Sequence, residues 1–92
     1  MPKVSFLDTT FLTSELIRAG RALLRWEQRH LSEASSVSLP TIKRLEAKPG
    51  VLAAHVSTAA ALRRALESGG VEFTNGDQPG VRLRKAKHEP EE

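Results

Sequence analysis

The chain has 92 residues, 39% hydrophobic and 27% charged, enough for one domain with a modest core and too few for two. It has no cysteine, so neither a disulfide framework nor a thiolate metal site can form, which suits a reducing cytoplasm. Fourteen basic residues against eleven acidic give +3, and because Glu89, Glu91 and Glu92 crowd into the last four positions, residues 1–88 carry +6. Such a surface attracts polyanions at long range, although a solvated basic face is the commoner meaning of the same charge.

Residues 1–13 show no helical period, yet Phe6, Leu7, Phe11 and Leu12 are too apolar for a free tail. The expected form is an arm lying across the bundle or across a partner subunit. One lysine ahead of an apolar run interrupted by Asp8, Thr9 and Thr10 makes neither a signal peptide nor a membrane span. A first helix is predicted from Ser14, with Thr13 as its cap and Glu15 placed against the positive end of the helix dipole. Its buried stripe would be Leu16, Ile17, Gly20, Leu23 and Leu24. Arg18, Arg21 and Arg25, three and four apart on one flank, read by spacing alone as solvated arginines. Trp26, the sole tryptophan, reads as a core plug or lid between the first and second helices.

The stretch from Gln28 to Ala47, QRHLSEASSVSLPTIKRLEA, organises the rest. Leu31 and Ala34 have the spacing of one short buried helical face, and Ile42 and Leu45 repeat it. Ser35, Ser36 and Val37 between them leave room only for a tight turn. Ser38 can cap the second of these helices, and Pro40 falls in its first turn, where the missing amide proton loses no helical bond. The prediction is a helix-turn-helix whose second helix presents Ser38, Leu39, Pro40, Thr41, Lys43 and Arg44 outward. By periodicity alone, a plain three-helix bundle with a short connection and no ligand fits equally well.

Lys48, Pro49 and Gly50 end that helix, and VLAAHV over 51–56 is ambiguous between a helical turn and an irregular connection. A further helix capped by Ser57 or Thr58 follows, with Ala59, Leu62, Ala65 and Leu66 inward and Gly69 beyond its end. The period then changes to alternation: VEFT and VRLRK read as two strands joined by NGDQPG. A two-stranded hairpin is marginal alone. It must pack on the helices through Val71, Phe73, Val81 and Leu83, or pair by its free edge with a second copy. Arg82, Arg84, Lys85 and Lys87 would extend a phosphate-binding surface or simply face solvent. The chain thus divides into an arm (1–13), a helical domain (14–69), a hairpin (70–86) and a tail expected to be disordered (87–92). His30, His55 and His88 lack metal-ligand spacing, and no phosphate loop or nucleophile-and-base set is present, so no cofactor, metal or enzymatic activity is expected.

Arg21, Leu24, Trp26, Gln28, Leu31, Glu33, Ala34, Val37, Ser38, Thr41, Ile42, Leu45 and Glu46 together resemble the motif of the lambda repressor and Cro helix-turn-helix family, also called the xenobiotic-response-element (XRE) family. IRAGRALLRW through RLEAKPG, with ALRRALESGGVEF and PGVRLRK, resembles its small stand-alone proteobacterial regulators over roughly residues 16–85. The resemblance implies a mainly α fold, a lambda repressor-like bundle of about four helices with a C-terminal two-stranded β-hairpin. It implies a cytoplasmic homodimer that binds double-stranded DNA and represses transcription, with no membrane and no small-molecule domain. Leu39, Pro40 and Arg44 would face base edges, and Gln28, Ser38, Thr41 and Lys43 the phosphates. Gln28 would also brace the recognition helix, and Arg21 would pair with Glu46. Two positions depart from the family: Glu27 replaces the usual serine or threonine cap, and Ser36 the usual glycine of the turn. Leucine and proline have no side-chain hydrogen bonds to offer a base, so Arg44 is the one residue suited to a bidentate contact with guanine. The same apolar pair keeps open a second reading, a protein-interaction module of antiactivator or antitoxin type whose partner is a regulatory protein.

Overall fold

The structure, a computed structural model, describes residues 12–74 and 78–84. Local chemistry opens and closes its helices. The Thr13 hydroxyl accepts the Leu16 amide at 3.1 Å and starts α1, Ser14–Leu24, with Glu15 in the first turn as expected. Arg25 then turns left-handed (φ 60°), and the amides of Arg25 and Trp26 return to the Ala22 and Arg21 carbonyls. Helix α2, Gln28–Ser35, starts without a side-chain cap from Glu27; instead His30 Nδ1 accepts the Glu27 amide at 2.9 Å. It ends at Ser36, left-handed at φ 67°, whose amide donates to the Ser32 carbonyl. The Ser32 hydroxyl donates to the Val37 carbonyl and Ser35 Oγ accepts the Val37 amide, so the turn is stitched by its own serines.

Ser38 caps α3, Leu39–Ala47, accepting the Thr41 amide at 3.3 Å, with Pro40 in the first turn. Three residues, 36–38, therefore join α2 to α3. The stretch 51–55 is an irregular connection, not a helical turn, and makes one antiparallel bridge, Thr13 to Val51. Helix α4, Val56–Gly69, begins earlier than the Ser57 or Thr58 caps would allow: His55 is its cap residue and makes no side-chain bond, while both hydroxyl residues fall inside the first turn. Gly69 is its last residue, and Gly70 beyond it takes the left-handed conformation (φ 119°) that glycine adopts freely. Strands β1, Val71–Thr74, and β2, Gly80–Leu83, pair antiparallel with Val71 opposite Leu83 and Phe73 opposite Val81.

The core gathers one face of each element: Leu12, Ile17, Leu31, Ile42, Leu62, Leu66 and Val71 are all almost completely buried. Predicted Ala59, Leu62, Ala65 and Leu66 form the inner face of α4. Helix α1 approaches α4 at Gly20, where an added Cβ would meet Leu66 at 3.3 Å, and the Trp26 ring lies over Gly69 at the far end of α4. Trp26 packs against the core from its edge, as a lid would. Three expected core residues are exposed: Ala34, paired by spacing with Leu31, faces outward from α2, and Leu23 and Leu83 do so from α1 and β2. Leu23, 38% exposed, sits about 120° around α1 from Ile17, at a rim that the other described elements leave uncovered. Leu83, 53% exposed, ends β2 while Val71, Phe73 and Val81 carry the packing of the hairpin on the helices. The Arg63 guanidinium lies 5.2 Å above the Phe73 ring and adds to that packing. Of the arm and tail, residues 1–11 and 85–92 lie outside the described residues, as do Asn75–Asp77 of the hairpin loop. Among the described residues no helix is long and apolar enough to cross a membrane.

Candidate nucleic-acid interface

Three elements converge on one carboxylate. Glu46, near the end of α3, is only 5% exposed, a position that an ionised group tolerates only if its oxygens are fully bonded. Arg21 on α1 supplies two bonds, Nε to one oxygen at 2.8 Å and a terminal nitrogen to the other at 2.7 Å. Gln28, first residue of α2, donates from Nε2 to the second oxygen at 3.0 Å. A carboxylate only accepts, so the amide nitrogen must be the end of Gln28 that faces it, and the second amide proton stays available. The other Arg21 terminal nitrogen donates to the Trp26 carbonyl at 2.9 Å and holds the α1–α2 connection to the same hub.

Arg18 completes the set, donating to the Glu46 backbone carbonyl at 2.8 Å. It satisfies a carbonyl in the last turn of α3, where no helical amide follows. Spacing alone read Arg18 as solvated; that it lies three residues before Arg21, on the same flank, is the signal that could have found it. The His30 cap was also missed: it fills the reach-back position of a capping box, where glutamate or glutamine is the usual residue and histidine gives no signal.

On the opposite side, α3 offers a mixed surface. Ser38, Pro40, Lys43 and Arg44 are exposed, while Leu39 and Thr41 are half-buried. The Ser38 hydroxyl donates to Thr41 Oγ1 at 2.8 Å while accepting the Thr41 amide, so its proton is committed. The Thr41 hydroxyl proton is the one this pair can offer outward. Leu39 and Pro40 were expected to form an exposed apolar pair, and the half-burial of Leu39 leaves Pro40 as its exposed member.

The arginines and lysines divide by partner. Arg29 pairs with Glu27 at 3.0 Å, Arg63 with Glu67, and Arg82 and Arg84 both reach Glu72 across the hairpin. Among the described residues no carboxylate pairs with Lys43 or Arg44. The hairpin cations are thus partly neutralised by Glu72, and Lys85 and Lys87 lie outside the described residues. Glu27 is exposed at the start of α2, and the Arg29 guanidinium bonded to it holds its carboxyl below the ordinary range, so it is ionised at neutral pH. Among the described residues no group of three or more His, Asp or Glu could hold a metal ion.

Because Glu46 is buried among bonds that all have donors, removing one donor strands charge. Arg21→Ala should destabilise the fold by about 3–5 kcal/mol, read in urea or thermal unfolding as a Tm lowered by well over about 10 °C. Arg21→Met combined with Glu46→Leu should recover most of that loss, since the pair fixes geometry more than it adds stability. An unchanged Tm for the single variant would show that the hub is not structural.

No protein-family model matches this chain, and no curated protein matches its sequence.

Proposed function

We propose that this protein is a sequence-specific double-stranded DNA-binding regulator of the lambda repressor-like helix-turn-helix type, acting in the cytoplasm as a homodimer and repressing transcription by occupying promoter DNA. The observation that supports it best is the two-sided character of α3. Its inner side is tied to α1 and α2 through Glu46, and its outer side carries Lys43 and Arg44 without a carboxylate partner among the described residues. A short helix held rigidly with cations on its free side has the form needed to enter a major groove.

In this reading the residues divide the work. Arg44 makes the bidentate contact to guanine, with Leu39 and Pro40 limited to apolar contact such as the thymine methyl. Lys43, the Thr41 hydroxyl and the second amide proton of Gln28 meet phosphates, and Ser38 acts through Thr41 instead of directly. Two copies would meet half-sites about one helical turn apart. With one good base contact per copy, discrimination must also draw on DNA shape and half-site spacing. Activation of transcription is equally compatible with these residues. The alternative, a module that meets a protein through α3, rested on an exposed Leu39–Pro40 pair, and the half-burial of Leu39 weakens it.

The test is fluorescence anisotropy of duplexes from the region upstream of the protein's own gene, beside a scrambled duplex, across salt concentrations. Wild-type protein should prefer one duplex, and Lys43→Ala with Arg44→Ala should lose that preference and flatten the log–log salt slope by about two units. Equal, weak binding to every duplex would favour the protein-interaction module. The ionised Glu27 beside Gln28 should oppose a phosphate there. Glu27→Gln should therefore tighten binding at low salt, with the gain shrinking as salt is raised. Unchanged affinity would place the DNA away from the start of α2.

A further inference from the structure

Three of the four helices among the described residues close on themselves. Arg25 after α1, Ser36 after α2 and Gly70 after α4 all turn left-handed and return a backbone amide to a carbonyl of the last turn. Helix α3 does not. Its cap residue, Lys48, is extended and returns no such bond. The cause is Pro49: a residue before proline is pushed out of the helical region, and proline has no amide to send back. The first amide after it, that of Gly50, goes instead to the Glu15 carboxylate on α1 at 3.1 Å. The Gly50 carbonyl in turn accepts the Ser14 amide at 2.9 Å, and the Glu46 carbonyl accepts Arg18 at 2.8 Å. The end of α3 is therefore closed from α1.

We propose that Glu15 and Arg18 form a clamp that fixes where α3 ends, and that they are positioning residues for the base contact of Arg44. This role rests on the DNA-binding reading above. The two residues stand three apart on one face of α1 and grip the chain on either side of Pro49, Arg18 as donor at residue 46 and Glu15 as acceptor at residue 50. Their charges suit the work. The helix dipole favours an arginine at the negative end of α3 and a glutamate in the first turn of α1. The Glu15 carboxyl is held below the ordinary range by backbone amides, its own and then that of Gly50, with the Ser14 hydroxyl and the Arg18 charge acting in the same direction, so it stays a charged acceptor at neutral pH. Arg44 lies in the last turn of α3, the part that the clamp holds. Glu46 anchors that turn by its side chain, but its backbone carbonyl depends on Arg18. A bidentate contact to guanine needs its guanidinium placed within roughly 0.5 Å. Loss of the clamp should then weaken the reading of sequence more than the hold on phosphates, which Gln28 and Thr41 supply from the other end of α3.

Arg18→Met keeps the aliphatic stem and removes the donors. Hydrogen exchange of the full chain without DNA should show the amides of Leu45, Glu46 and Ala47 exchanging about tenfold faster, with those of α2 unchanged. Glu15→Ala should act in the same direction, and Arg18→Lys, which can still donate to a carbonyl, should recover most of the protection. Fluorescence anisotropy with the preferred and the scrambled duplex gives the second reading. The ratio of the two affinities should fall by about fivefold in Arg18→Met, part of what one bidentate contact carries, with the log–log salt slope unchanged. Unchanged exchange in either Arg18→Met or Glu15→Ala would overturn the clamp. A salt slope flattened by about one unit with the ratio intact would make Arg18 a phosphate contact and overturn the positioning role. Wild-type protein that prefers no duplex would remove the DNA reading and the role in it, and exchange, which involves no DNA, would still decide whether α1 closes α3.

Discussion

Glu46 is a carboxylate placed where water hardly reaches, and burying a charge costs several kcal/mol unless bonded partners offset it. Here those partners come from two other helices. Arg21 on α1 takes both oxygens, Gln28 on α2 takes one of them again, and Arg18 holds the carbonyl of the same residue. Hydrogen bonds to a charge are short and directional, so the convergence fixes where α3 lies relative to α1 and α2 more narrowly than apolar contact at Ile42 and Leu45 would. Arg21 extends the constraint through the Trp26 carbonyl to the connection between α1 and α2, and the Trp26 ring closes on Gly69 at the end of α4. The position of the outer side of α3 follows from that one buried charge.

What the chain declares locally, it declares clearly. Thr13 and Ser38 cap the helices they precede, Pro40 falls in a first turn, and Ser36 takes the left-handed conformation despite its side chain. These features depend on bonds within about one helical turn, so a few adjacent residues determine them. The Arg21–Glu46 pair, 25 residues apart in sequence, was legible only through resemblance to a family motif, since spacing alone gave Arg21 to solvent. Leu23, Ala34 and Leu83 fail for the same reason in reverse: their apolar character is local, but their exposure depends on where other elements happen to lie. The start of α4 was misplaced because two hydroxyl residues within its first turn offered a better cap than His55, and core packing through Ala59 and Leu62 outweighs a cap.

Net charge was the least informative number and its distribution among partners the most. Arg29, Arg63, Arg82 and Arg84 look equivalent to Arg44 in the sequence, yet each lies against a glutamate. Ion pairs of the exposed kind contribute little stability, but Glu72, shared by Arg82 and Arg84, weakens the long-range field that would draw a polyanion to the hairpin. Lys43 and Arg44 on α3 have no such partner among the described residues, and neither have Arg25, Lys48 and Arg64, so it is the combination of free cations with a firmly held helix that points to α3. Glu27 also gains meaning under the proposed function: a negative charge at the start of α2 would oppose the phosphate contacts proposed for Gln28 and Lys43.

The most direct test of this account is a nitrogen-15 NMR titration of the protein with a duplex that it prefers. The account predicts that chemical-shift changes gather on the amides of Gln28, Ser38, Thr41, Lys43 and Arg44 and on the side-chain amide of Gln28, leaving β1 and β2 unmoved. Changes centred on the hairpin, or none at saturating DNA, would contradict the claim that the Glu46-anchored helix is the surface that reads DNA.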